Sequence, residues 1–173
     1  MVHSYKFDSV LYGNRNRAKI FSYIDRLQKK AFEKNYIKQG FLNSDKERIV
    51  RVRIKNNEGF LTIKGPSNAN GTTRFEWEKE IDKNDAEHLF SLCEKGHIEK
   101  YRYLVKVDHH IFEVDEFLGE NSGLIIAEVE LQDENEFFTK PEWLGKEVTG
   151  VAKYYNSNLS KNPYAQWFTH KNK

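Results

Sequence analysis

Between Tyr36 and Leu131 the chain runs in a two-residue rhythm, charged on one parity and apolar on the other, the signature of β-strands with chemically distinct faces. Residues 48–55 set Arg51 and Arg53 against Val50, Val52 and Ile54. Residues 60–64 set Thr62 and Lys64 against Leu61 and Ile63, after a turn at residues 56–59 with hairpin composition. A break at residues 65–73, with Pro66, Asn68, Asn70 and Gly71, leads into residues 74–81, where Arg74, Glu76, Glu78 and Glu80 share one face. The period then changes: over residues 82–95, Ala86, Leu89, Phe90 and Cys93 form a helical stripe that Asp82 or Asn84 can cap and Gly96 ends. Three further strands carry Lys100 and Arg102, then Glu113 and Asp115, then Glu128 and Glu130. Residues 141–167 mix short helical turns with aromatics that should pack on the sheet, and the weakly patterned, basic residues 1–36 hold one expected helix around residues 20–32.

At 173 residues the chain fills one core and is read as a single domain. Its 28 basic and 26 acidic residues leave a net charge of only +2, which argues against a general nucleic-acid coat and shifts attention to where the charges sit. The single cysteine, Cys93, excludes an internal disulfide framework and a cysteine-rich metal site. No apolar run approaches the roughly 20 residues of a membrane span, and the first thirty or so residues lack a secretory apolar region. The expectation is a soluble cytoplasmic protein with neither nucleic-acid nor membrane partners.

The strand charges come as like-charged pairs: Arg51 with Arg53, Lys100 with Arg102, Glu76 with Glu78, Glu113 with Asp115, Glu128 with Glu130. Such neighbours lie about 7 Å apart and repel unless something of opposite charge stands between them. Arg51, Arg53, Lys64, Arg74, Lys100 and Arg102 face an equal number of carboxylates, Glu76, Glu78, Glu113, Asp115, Glu128 and Glu130. Direct salt bridges can consume both sets. The other reading is a ligand that needs both signs at once, and a polyphosphate with a divalent metal is one: cations bind its oxygens while carboxylates hold the metal. The charged faces would then point inward and the apolar faces outward onto helices, as in a closed barrel without exposed sheet edges.

The runs QGFL (residues 39–42), VRVRI (50–54), LTIKG (61–65), RFEWE (74–78), EKYRY (99–103), FEVDEF (112–117), LIIAEVEL (124–131), WLGKEVT (143–149) and YYN (154–156) together resemble the CYTH family of triphosphate tunnel metalloenzymes. The likeness covers residues 36–164 in the family's order. It implies an α+β fold: an eight-stranded antiparallel closed β-barrel forming a tunnel, with helices outside. It implies metal-dependent hydrolysis of inorganic tripolyphosphate or a related organic triphosphate, with Mg²⁺ or Mn²⁺ as cofactor. A class IV adenylate cyclase and a non-catalytic phosphate-binding barrel are the alternatives. Carried over by position, Arg51, Arg53, Lys64, Arg74, Lys100 and Arg102 would bind phosphate, with Arg53, Lys100 and Arg102 catalytic. Glu76, Glu78, Asp115, Glu128 and Glu130 would hold or orient metal, with Glu113 and Lys153 as weaker candidates.

Two departures stand out. Phe41 replaces the tyrosine common in the family's QGYL, and the family's opening Glu-x-Glu-x-Lys strand is missing. SYKF (residues 4–7) offers Lys6 before Phe7, but Val2 and Ser4 replace the glutamates, and Lys6 lies 33 residues before Gln39. GNRNRAKIF (residues 13–21) has the family's spacing, since Lys19 lies 20 residues before Gln39. Codons for Gly13–Ile20 can be chosen that, read one base later, give Glu-Ile-Glu-Ile-Glu-Arg-Lys-Phe. Residues 1–35 are therefore read as an atypical segment translated out of frame ahead of a tunnel domain at residues 36–173, an ordinary basic arm being the alternative. The expected consequences are a disrupted first strand, an exposed edge and impaired activity. His109 and His110 read as a hairpin tip, Ser122 and Ser160 lack nucleophile motifs, and Trp77, Trp143 and Trp167 read as packing residues.

Overall fold

The computed structural model describes residues 3–8, 25–67, 74–132 and 136–171. The alternating runs become strands β1 (His3–Asp8), β2 (Glu33–Asn43), β3 (Ile49–Lys55), β4 (Glu58–Ser67), β5 (Arg74–Ile81), β6 (Ile98–Val107), β7 (His110–Phe117), β8 (Ile125–Leu131) and β9 (Lys146–Glu147). They form one sheet in the order β5-β4-β3-β2-β6-β7-β8-β1-β9. Every neighbouring pair is antiparallel. Hairpin turns follow the chemistry of the sequence: Asn56 and Asp108 take φ 52 in the tight turns between β3 and β4 and between β6 and β7, a conformation Asn and Asp tolerate better than most residues. His109 and His110 sit at the second of these tips, where the His110 ring lies 2.9 Å from Glu136.

Two expectations are corrected. The sheet has nine strands, and among the described residues its terminal strands β5 and β9 are not hydrogen-bonded to each other, so it is not the closed eight-stranded barrel. β9 is two residues long and spends its pairing on β1, leaving too short a ladder to close against the eight-residue β5. The first strand is not lost: His3–Asp8 pairs with β8, setting Lys6 opposite Glu128 and Phe7 opposite Ala127. Alternation explains why this segment serves, because it sends Phe7, 2% exposed, into the core while Lys6 joins the charged face. GNRNRAKIF lies outside the described residues, as does the start of the helix expected over residues 20–32; its described part, α1, covers residues 25–30.

The apolar parity packs outward in two clusters. Phe7, Tyr103, Val105, Phe112, Val114, Ala127 and Val129 are covered by Leu27 of α1 and by Phe138 and Trp143. Val52 and Ile54, with Leu61, are covered by helix α2 (Lys83–Ser91) through Ala86, Leu89 and Phe90, and by Cys93 just after it. Asp82 caps α2 by accepting from the Asn84 N–H at 2.8 Å. The helix packs so closely that a Cβ on Gly59 would lie 2.6 Å from that of Ala86. Each large side chain removed from water in these layers contributes about 1.5–3 kcal/mol.

A third cluster lies on the charged face, at one end. Ile98, Phe117 and Ile126 share parity with Lys100 and Asp115, and Val148, Tyr154, Leu159 and Trp167 of the C-terminal turns cover them. The aromatic tail thus stops that end of the charged face. Trp143 and Trp167 pack as expected, whereas Trp77, on the outer face of β5, is 41% exposed.

Candidate functional site

Strand register alone collects the charges. Across β3, β4 and β5, Arg51 faces Thr62 and Thr62 faces Glu78; Lys64 faces Glu76. Across β6, β7, β8 and β1, Arg102 faces Asp115, Glu113 faces Glu128, and Glu128 faces Lys6. β2 joins the two halves, with Gln39 opposite Arg53 and Ile37 opposite Lys100.

In the β6–β1 half the pairs interlock. Asp115, 2% exposed, accepts from Lys100 Nζ at 2.5 Å and from Arg102 Nε and Nη2, both at 2.7 Å. Arg102 also pairs with Glu113 and reaches Glu128 at 3.2 Å, and Glu128 is paired with Lys6. In the β3–β5 half, Arg51 Nη2 donates to Thr62 Oγ1 at 3.0 Å and to Glu78 at 3.1 Å, while Thr62 Oγ1 donates to Glu78 at 2.5 Å. Lys64 meets Glu76 at 2.7 Å.

The titration shifts follow from this geometry. Burial works to raise the Asp115 carboxyl, but the Arg102 and Lys100 charges outweigh it and hold the group well below the carboxylate range. For Glu128, too, burial is outweighed, by Lys6, Lys100 and Arg102, and its pKa falls. Glu113 moves up, because burial dominates over Arg102. Burial, with Arg102 alongside, pulls Lys100 down to about 8, and the same two causes lower Arg53.

Arg53 differs from its neighbours. It has no hydrogen bond or ion pair among the described residues, and its Nε is buried without a partner. The Nε of Arg51 and the Nε2 of Gln39 share that condition. A buried donor without an acceptor costs about 1–3 kcal/mol, and these three lie together on the adjacent strands β2 and β3.

Of the residues singled out in the sequence, Arg51, Lys64, Lys100, Arg102, Glu76, Glu78, Glu113, Asp115 and Glu128 are brought into these networks. Arg53 shares their face without pairing. Glu130 is exposed and stands opposite Ser4 in the register, and Arg74 occupies the β5 position opposite Ser67. Lys153 is set apart, its ammonium 4.4 Å from the ring centre of Trp167 and 4.9 Å from that of Tyr154. Thr62 and Gln39 received no role from the sequence, although both share parity with the arginines they face.

Carboxylate oxygens suit hard divalent ions. Among the described residues, however, no three acidic, histidine or cysteine side chains gather closely enough to hold a metal ion. Glu76 and Glu78 lie on β5, and Asp115, Glu128 and Glu130 on β7 and β8, with β2 between the two groups in the sheet order.

The family model for the CYTH domain matches residues 12–162. An inorganic triphosphatase from Acetivibrio thermocellus is 53% identical over 128 residues, covering 73% of this chain and 81% of that protein. An inorganic triphosphatase from Nitrosomonas europaea is 36% identical over 128 residues, covering 72% and 83%. A solved structure of an inorganic triphosphatase superposes with a TM-score of 0.62 at 26% identity, over 92% of this chain and 94% of that one. A face of paired charges on an antiparallel sheet, a domain match across most of the chain and relatives at this identity lead to one conclusion: the chain belongs to the CYTH domain family.

Proposed function

We propose that this protein hydrolyses a triphosphate, inorganic tripolyphosphate or a related compound, on the charged face of its sheet. The observation that carries the reading is the set of buried, partnerless N–H donors on Arg51, Arg53 and Gln39 beside the Lys100–Arg102–Asp115 network. The names of the two curated relatives support the substrate class.

Phosphoryl transfer asks a protein chiefly for positioning and for charge stabilisation at the phosphoryl oxygens. Arg53, with no hydrogen bond or ion pair to give up among the described residues, meets the phosphate chain directly. Lys100 and Arg102, fixed by Asp115, hold their charges in place before the ligand arrives. Arg51, Lys64 and Arg74 bind further phosphate oxygens along β3, β4 and β5. The C-terminal aromatic turns bound the site at the Ile98 end and keep water from that side.

CYTH triphosphatases depend on divalent metal in general, and Mg²⁺ or Mn²⁺ is proposed here on the strength of the family rather than of the carboxylate arrangement. Glu76, Glu78, Asp115, Glu128 and Glu130 remain the proposed acidic ligands, with Asp115 already answering two cations. β1 supplies Ser4 and Lys6 opposite Glu130 and Glu128, with no carboxylate at either place, and activity is accordingly proposed to be impaired. The engagement of Glu113, Asp115 and Glu128 by Lys6, Lys100 and Arg102 favours one second reading, a phosphate-binding protein without turnover.

Incubation with tripolyphosphate, ATP and thiamine triphosphate, with Mg²⁺ or Mn²⁺, tests the proposal. Release of phosphate from tripolyphosphate sustains it. Cyclic product from ATP, or binding without phosphate release, rejects it.

A further inference from the structure

We infer that Gln39 is a phosphate-binding residue of this site, a neutral donor working beside Arg53; the inference rests on the functional reading above. Gln39 is 1% exposed, yet its Nε2 has no hydrogen-bond partner. Glutamine is seldom buried to this degree, and a buried amide hydrogen without an acceptor is destabilising.

The surroundings explain why the protein itself supplies no acceptor. Directly opposite on β3 stands Arg53, which offers only donors, and directly opposite on β6 stands Ile98, fully buried. Two residues away along the same face of β2 lie Ile37 and Phe41, 2% and 4% exposed. Beyond Ile98 the aromatic tail closes the layer through Tyr154 and Leu159. Neither directly opposed strand position therefore offers the amide an acceptor, and the amide lies on the same face as Arg51, Arg53 and Lys100.

An amide N–H and a guanidinium N–H on directly opposed strand positions, with Cβ atoms about 4.5–5.5 Å apart, can share the oxygens of one tetrahedral phosphoryl group. The Nε of Arg51, one pair further along β3, adds a third donor. A neutral donor contributes a directed hydrogen bond here without adding to the repulsion that Arg102 already exerts on Arg53. The amide is held at a cost to the free protein that the ligand's oxygens relieve.

The test exploits two effects of opposite sign. Gln39→Met keeps the length and removes the partnerless donor; Gln39→Glu keeps the shape and turns the donor into an anion. Each variant and the unaltered protein are titrated with tripolyphosphate and Mg²⁺, following the thermal midpoint. Gln39→Met should raise the midpoint of the free protein by about 2–12 °C. It should also raise the tripolyphosphate concentration giving half the ligand-induced shift by about tenfold or more, with Gln39→Glu weaker still. A Gln39→Met protein that melts lower than the unaltered chain, or that responds to tripolyphosphate at the same concentration, overturns the inference and leaves the functional reading standing. An unaltered protein with no response to tripolyphosphate overturns both.

Discussion

Asp115→Asn removes one charge at the centre of the β6–β1 network and leaves its shape. In the intact protein this carboxylate, 2% exposed, neutralises Lys100 at 2.5 Å and Arg102 at 2.7 Å. Arg102 retains Glu113 and Glu128 after the change, whereas no other ion pair of Lys100 occurs among the described residues. Removing one partner of a buried pair costs about 3–5 kcal/mol, because the remaining charge stays out of water. For a chain of this size each kcal/mol lowers the midpoint by about 2–4 °C, so Asp115→Asn should melt about 6–20 °C lower at neutral pH. The sign also fixes a pH dependence. The folded-state pKa of Asp115 lies below its ordinary value of 3.8, so its stabilisation is complete above that value and is lost as pH falls through the folded pKa. Thermal melts of both proteins from neutral to acidic pH should therefore converge at the acid end. A fall of less than about 3 °C at neutral pH, or a gap that persists in acid, would falsify the view that this pair is integral to the fold.

Arg53→Met removes a cation with no partner among the described residues, so tripolyphosphate should bind about tenfold or more weakly by calorimetry while the thermal midpoint holds or rises. Lys100, with its pKa drawn from 10.5 to about 8, should lose its charge as pH passes that value, and tripolyphosphate affinity should decline there. Its contribution to stability runs the other way: between about 8 and 10.5 the unfolded chain binds the extra proton, so this contribution rises with pH, and a pH series on Lys100→Met should lack both trends. Gly96→Ala should destabilise by more than about 2 kcal/mol in urea unfolding, since Gly96 has φ 86 and an added Cβ would fall 1.8 Å from the Ser160 carbonyl oxygen.

The strands and their charged face were legible because a parity pattern is local: each arginine, lysine and glutamate declares its face by its position between apolar neighbours. Pairing was less so. The alternation places Arg51 and Glu78 on one face, but only the β3–β4–β5 register brings them together through Thr62. Closure was not legible at all, because it depends on how many residues are left to pair at an edge, and β9 has two. For the first strand, spacing to Gln39 points to residues 13–21, which lie outside the described residues, whereas the packing of Phe7 against the β6–β8 core, with Lys6 on Glu128, becomes visible only in the fold. Gln39 carries no charge that would declare a role in the sequence, since an amide acquires meaning only when its burial and lack of an acceptor are known. Trp77 reads as a packing residue, but it sits on the outer face of an edge strand and remains 41% exposed.

The central claim is that the charged face binds a triphosphate and cleaves it with a divalent metal. The measurement that meets it most directly is phosphate release from tripolyphosphate by the purified full chain, with Mg²⁺ or Mn²⁺ and again with EDTA, beside the relative that is 53% identical. The account predicts release that EDTA abolishes, slower than the relative's. No release with either metal, or release unaffected by EDTA, would contradict it.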